Sequence, residues 1–217
     1  KIQSQSEILD TIYTAYNIAT SGEPGPVFIE VPVNIQLYKG EVASIQSYEA
    51  FVDLKGEQKN INQSDLLDQA VDLLLKAKSP GLFLGWGAVD VSDETSQISE
   101  LLAAPVATTL QGLSAFPANH SFHTGMSFGP SAVPAATNAF ESCDCMLAIG
   151  TRFGEIGTGS FGVTVPKNLI HIDINPEVLN ANYPAKVAIT GDSTDLVPVL
   201  LEKLKARMTE QTINLSA

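Results

Sequence analysis

Basic charge is scarce in this chain. Twelve lysines and arginines face 24 aspartates and glutamates, for a formal net charge of −12, and only Arg152 and Arg207 are arginines. Such a surface repels phosphate backbones and anionic headgroups, which argues against nucleic acid and membranes as partners. Any phosphate would have to be held by backbone N–H groups or a single arginine. Long apolar runs are missing too. Pro80 to Val89 is far shorter than a membrane span and is broken by glycines. No secretory leader is visible, although the first residue is Lys. Cysteine is limited to Cys143 and Cys145. On a strand the two would share a face with Asp144 opposite, and they read as packed thiols in a reducing compartment. A cytoplasmic location is the expectation. The three histidines, His120, His123 and His171, are not spaced as metal ligands, and His120 and His123 read as part of a solvated loop. A G-x-G-x-x-G fingerprint, a P-loop and a serine nucleophile elbow are all absent. No catalytic residue and no metal site are therefore expected.

What is present is a change of pattern along 217 residues. Ser4-Gln5-Ser6-Glu7 has capping-box spacing, and Ile8, Leu9, Ile12, Tyr13, Tyr16 and Ala19 make one apolar helical stripe. Gly22 ends that helix, Glu23-Pro24-Gly25-Pro26 turns the chain, and Val27 to Val31 reads as a strand closed by Pro32. One helix and one strand cannot bury a core, so residues 1–33 read as the end of a preceding domain. Residues 34–63 read as a polar, irregular linker. From Ser64 helices and strands alternate with short connections, and 64–208 reads as one domain followed by a polar tail, 209–217. Its strands, Gly81 to Leu84, Pro105 to Leu110, Cys145 to Ile149, Leu169 to Asp173 and Val187 to Ile189, carry apolar residues on both faces. Its helices start at Ser64, at Ser92 and near Ser131, and a last one buries Leu196, Val197, Leu200, Leu201 and Leu204. Apolar strands alternating with amphipathic helices predict a doubly wound α/β domain, a parallel sheet in a three-layer nucleotide-binding-like fold.

In such a fold ligands sit beyond the carboxyl ends of the strands. Here those ends read Gly85-Trp86-Gly87, Thr109-Leu110-Gln111-Gly112, Gly150-Thr151-Arg152-Phe153-Gly154, Asp173-Ile174-Asn175-Pro176 and Gly191-Asp192. Glycine lets backbone approach a ligand, and Asp173 is placed to accept bonds from ribose hydroxyls. For Arg152 a phosphate contact and a surface or interdomain ion pair both remain open.

These residues resemble a known family. Ala19 to Pro32 is similar to the end of the pyrimidine-binding domain of acetolactate synthases and related thiamine-diphosphate-dependent enzymes. Thr109 to Gly112, Gly125-Met126, Ala148 to Phe153, Thr158-Gly159, His171 to Pro176 and Gly191-Asp192 resemble their central domain, in the expected order. The resemblance implies a parent enzyme that decarboxylates a 2-keto acid, or cleaves a similar bond, and passes a two-carbon unit to an acceptor. It also implies that thiamine diphosphate and magnesium are held by flanking domains of the same polypeptide, and that the protein is a homo-oligomer. The central domain would then be structural and, in many members, hold FAD. Carried over residue by residue, the FAD contacts are Gly85, Gly87, Thr109, Leu110, Gln111, Gly125, Met126, Gly150, Arg152, Asp173, Gly191 and Asp192.

The sequence departs from that family at three places. Glu23 stands where flavin-binding members have Arg, Trp86 replaces a glycine of a triple-glycine turn, and Ile156 replaces an Arg that assists recognition of the acceptor's carboxylate. These departures imply weak FAD binding and leave the acceptor open. The alternative is an ADP- or other nucleotide-binding regulatory module, as in oxalyl-CoA decarboxylase-like enzymes. The similar topology of sirtuin-type deacetylases is excluded by the lack of a zinc cysteine set.

Overall fold

The computed structural model describes residues 1–40, 47–55 and 63–216, so parts of the expected linker, 41–46 and 56–62, and the last residue of the expected tail lie outside the described residues. The chain divides into two compact units, 1–61 and 62–217.

The first unit contains α1 (Ile8–Thr20), α2 (Val33–Leu37) and α3 (Tyr48–Lys55). A 3-10 turn, Gln5–Glu7, precedes α1 and changes its expected cap. Glu7 Oε2 accepts from the Gln3 N–H at 3.1 Å, while Ser4 Oγ bonds Ser6 Oγ at 2.9 Å. The extra tight turn moves the carboxylate's reach back by one residue, so Ser4 caps nothing. Residues 34–63 are less irregular than their composition suggests. Pro32, extended at φ −60°, leads into α2, and the Ala50 N–H donates to Ser47 Oγ (3.3 Å) at the start of α3. Tertiary contact stabilises α3: Tyr13 and Tyr16 of α1 pack against Tyr48 and Phe51 with ring centroids 5.0–5.6 Å apart. The expected strand at Val27 to Val31 does not form. Its only backbone bond to a neighbouring segment among the described residues runs from the Ile2 N–H to the Glu30 carbonyl (3.0 Å). A strand needs a partner ladder, and one bond is not a ladder.

The second unit runs α4 (Ser64–Lys76), β1 (Pro80–Leu84), α5 (Ser92–Leu102), β2 (Val106–Thr108), β3 (His123–Met126), α6 (Pro134–Phe140), β4 (Cys145–Ile149), β5 (Asn168–Asp173), β6 (Val187–Thr190) and α7 (Ser193–Ser216). All six strands are parallel, in the order β3-β2-β1-β4-β5-β6. This is the expected doubly wound sheet with one strand more. His123-Thr124-Gly125-Met126 carries no β-branched run, so β3 was legible only as loop. It forms because β2 offers it an open edge, with a register shift between Val106 and Ala107.

Side-chain alternation makes two cores. Leu82, Leu84, Leu147, Ile149, Ile170 and Ile172 face Leu67, Val71, Leu74, Ile98, Val197, Leu200 and Leu204 of α4, α5 and α7. Phe83, Met146, Ala148 and Leu169 point to the opposite face, where α6 supplies Phe140 and loops supply Phe128, Phe153 and Val163. The layers are thus unequal, three long helices on one side and a short helix plus aromatic loops on the other. The polar tail from 209 continues α7 to Ser216. Lys203 and Arg207 tie α7 to Asp68 (2.8 Å) and Asp72 (3.4 Å) of α4.

Two local expectations change. Cys145 lies in the helix-rich core, whereas Cys143 packs beside the aromatic one, because β4 begins only at Cys145 and the period of two does not reach back. His120 and His123 do not sit in a solvated loop. His120 stacks edge-on against Phe116 (4.8 Å), accepts from the Phe122 N–H at Nδ1 (3.2 Å) and meets Glu100 through Nε2 (3.3 Å). His123 is half-buried on β3.

Candidate functional site

The strand order reverses between β1 and β4. From β1 the chain winds outward through β2 and β3, and from β4 it winds the other way through β5 and β6. A doubly wound sheet opens its ligand crevice at that switch point, beyond the carboxyl ends. A crevice of about 530 Å³ lies there, lined by Trp86 after β1, Thr109 and Gln111 after β2, and residues 150–152 and 154–157 after β4. The volume falls within the range usual for small-molecule sites.

The glycines around it have a structural cause. A Cβ on Gly85 would lie 2.0 Å from the Gly150 carbonyl oxygen, and one on Gly150 would lie 2.4 Å from the Gly87 Cα. Gly150 also has φ +58°, and a Cβ on Gly112 would come within 2.7 Å of the Gly85 carbonyl carbon. Three strand ends thus interlock backbone against backbone. Their N–H groups are spent in the same way. Gly85 donates to the Ile149 carbonyl (2.9 Å), Gly87 to Gly150 (3.2 Å), Gly150 to Ile172 (2.9 Å) and Thr109 to Leu84 (2.9 Å). The Gly112 N–H is taken by Thr109 Oγ1 at 3.0 Å. Donors already held by carbonyls do not cradle a phosphate. The N–H groups of Gly85, Gly87, Thr109, Gly112 and Gly150 are therefore not free for the diphosphate of a dinucleotide.

What remains open joins two exposed apolar side chains to polar ones and two opposite charges. Trp86 is 68% exposed and Ile156 67% exposed, and both line the crevice together with Arg152 and Glu155. Of the expected contact residues, Thr109, Gln111, Gly150 and Arg152 come together here. Gly85 and Gly87 flank the lining Trp86, and Leu110 is exposed between Thr109 and Gln111. Gly125 (φ +106°) and the exposed Met126 lie on the edge strand β3.

The remaining three lie at the ends of β5 and β6 and do not line the crevice. Asp173 is buried and its Oδ1 accepts from the Asn175 N–H (2.9 Å), which holds its own turn. The Gly191 N–H donates to the Asp173 carbonyl (3.0 Å), and a Cβ there would meet Leu196 at 2.8 Å. Asp192 Oδ1 accepts from the N–H (2.9 Å) and hydroxyl (2.7 Å) of Thr194, and so caps α7. Thr151 and Gly154, read as part of a strand end, also line the crevice, as do Glu155 and Gly157, which were not singled out. Their signal was proximity to Arg152 in a glycine-rich stretch.

His171, buried on β5, positions one wall. Its Nε2–H donates to the Thr151 carbonyl (2.8 Å), and its ring meets Phe153 edge-on at 5.2 Å. Burial holds its pKa below the ordinary imidazole value, against the opposing pull of the Thr151 bond, so it is neutral at pH 7. Burial pushes Cys143 up to about 11 and Cys145 up to about 12. Among the described residues no group of three His, Cys, Asp or Glu side chains is arranged to hold a metal. No described helix is long and apolar enough to cross a membrane.

The family profile of the thiamine pyrophosphate enzyme central domain matches residues 67–200. The chain is 35% identical over 212 residues to a probable acetolactate synthase large subunit of Methanocaldococcus jannaschii, covering 95% of this chain and 35% of that protein. It is 33% identical over 207 residues to the large subunit of acetolactate synthase isozyme 2 of Escherichia coli K12, covering 94% and 36%. With the chloroplastic acetolactate synthase of Arabidopsis thaliana it shares 32% identity over 195 residues, covering 88% and 28%. The chain spans about a third of the length of the relatives it matches.

Proposed function

The chain belongs to the thiamine pyrophosphate enzymes through their central domain, and from that premise we propose that it is the scaffold domain of an acetolactate synthase-like carboligase. The activity itself, decarboxylation of a 2-keto acid and transfer of its two-carbon unit, rests on groups in the two thirds of the relatives that this chain does not span. Thiamine diphosphate with magnesium would supply the electron sink there. This chain would contribute subunit contacts in a homo-oligomer, one wall of the active-site channel and a nucleotide crevice. The family match carries the reading.

For the crevice the reading is a nucleotide site in which FAD binds poorly. Gly85, Gly87, Thr109 and Gly150 spend their N–H groups on the protein's own carbonyls. Arg152 shares the crevice with Glu155. A diphosphate then lacks charge-assisted bonds worth roughly 1.5–3 kcal/mol each. Titration of FAD, followed by flavin fluorescence, should give a Kd of about 10 μM or weaker. Sub-micromolar binding would overturn this part of the reading. Supplying thiamine diphosphate, magnesium and pyruvate to the 217-residue chain should give no pyruvate consumption. Turnover would place catalytic groups within it.

A further inference from the structure

Two of the three departures from the family pattern meet in one place. Trp86 and Ile156 both line the switch-point crevice, each with about two thirds of its surface exposed. A tryptophan held that open forfeits the burial its ring would gain in a core. The backbone beneath it is fixed from both sides. Gly85 and Gly87 lock onto Ile149 and Gly150, and the Ser193 hydroxyl donates to the Gly87 carbonyl. Neither flanking glycine tolerates a Cβ, so the turn cannot fold the indole inward by shifting its backbone. The polar lining consists of the Thr109 and Gln111 side chains, Thr151, and the opposed charges of Arg152 and Glu155.

Resting on the reading of this crevice as a nucleotide site, we infer that Trp86 is its stacking platform and that its ligand is recognised by a planar nitrogen heterocycle, adenine or flavin, rather than by its phosphates. Stacking on an indole is available to any such ring and needs no anion cradle. Ile156 adds an apolar contact where an arginine would have drawn a carboxylate. Such an arrangement weakens binding of a diphosphate while keeping a site at the switch point.

Trp86 is the only tryptophan, so indole emission reports on this residue alone. Adenosine, riboflavin, ADP and ribose 5-phosphate are titrated separately into the 217-residue chain, with calorimetry alongside fluorescence. Adenosine or riboflavin should bind and quench the indole, and which of the two does so identifies the ring. Ribose 5-phosphate should not bind, and ADP should gain less than about tenfold over adenosine. Trp86→Ala should weaken binding about tenfold, whereas Trp86→Phe should stay within about threefold of the parent. Binding that survives Trp86→Ala, or ribose 5-phosphate binding as well as ADP, would overturn the stacking while leaving the crevice a nucleotide site. If none of the four binds, the nucleotide reading falls and the inference with it.

Discussion

The two units of this chain handle apolar surface in opposite ways. In 62–217 the sheet is covered on both faces, and Leu82, Phe83, Leu84, Met146, Leu147 and Ile149 are fully buried. In 1–61 the apolar side chains are largely open: Phe28 is 89% exposed, and Ile12, Tyr16, Ile18, Val33 and Leu37 are exposed as well. Composition does not separate them, since both carry apolar stripes at helical spacing. Backbone pairing does. Six parallel strands satisfy one another's N–H and C=O groups and hold two rows of side chains toward helices, whereas the extended segment 27–31 has no partner strand among the described residues. A core needs the ladder first.

The largest expected break in this contrast comes from deletion within the sheet. Leu147→Ala should cost the second unit about 2–5 kcal/mol, read from its denaturant transition. A cost under about 1 kcal/mol would mean that the site collapses around the missing atoms. Next come two glycines with nearly equal φ, +58° at Gly150 and +61° at Gly22. Gly150→Ala adds a Cβ 2.4 Å from the Gly87 Cα and should cost about 3 kcal/mol, whereas Gly22→Ala, with nothing within 4 Å, should cost only about 1. Equal losses would show that φ, not strand-end interlock, sets the price.

The pH dependence of the second unit sharpens the comparison further. His171 is held neutral by burial, with a folded pKa below its unfolded value of about 6.5. Its contribution to stability is full above that unfolded value. It is lost as pH falls from about 6.5 toward the folded pKa, with a slope of at most about 1.4 kcal/mol per pH unit. Denaturation series between pH 8 and 5 should show a flatter profile for His171→Gln than for the parent, and parallel profiles would contradict a neutral buried imidazole.

Asp144 provides a smaller effect. It accepts from the Lys78 (2.9 Å) and Ser79 (3.0 Å) N–H groups, which hold its carboxyl below the usual range. That contribution is present above its unfolded pKa and is lost as pH falls through the folded one. Because the carboxylate is largely solvated, Asp144→Ala should cost only about 1 kcal/mol. Smallest of all, Phe28→Ser in the first unit should change stability by less than about 0.5 kcal/mol, and a larger loss would show that this ring is covered in solution.

Much of the second unit was legible in residue order. Continuous apolar runs such as Cys145 to Ile149 and helical stripes such as Leu67, Ala70, Val71 and Leu74 identify elements by period, and their alternation dictates a parallel sheet. The edge strand His123–Met126 was not legible, because its pairing is decided by β2 rather than by its own propensity. The strand Val27 to Val31 was read but does not form, for the converse reason. At the site, the glycine-ended strands and Arg152 pointed to the crevice. The structure adds that three strand ends claim several of their N–H groups from one another. Asp192 also caps α7, through bonds between neighbours in sequence.

Sequence by itself determined most elements of the second unit, the fold class and the family, since hydrophobic period and motif order are local properties of the chain. The tertiary structure decided which donors are spent, which glycines are packed, and that Trp86 and Ile156 share one crevice. Those depend on residues from different strand ends, far apart along the chain, meeting at the point where the sheet changes direction.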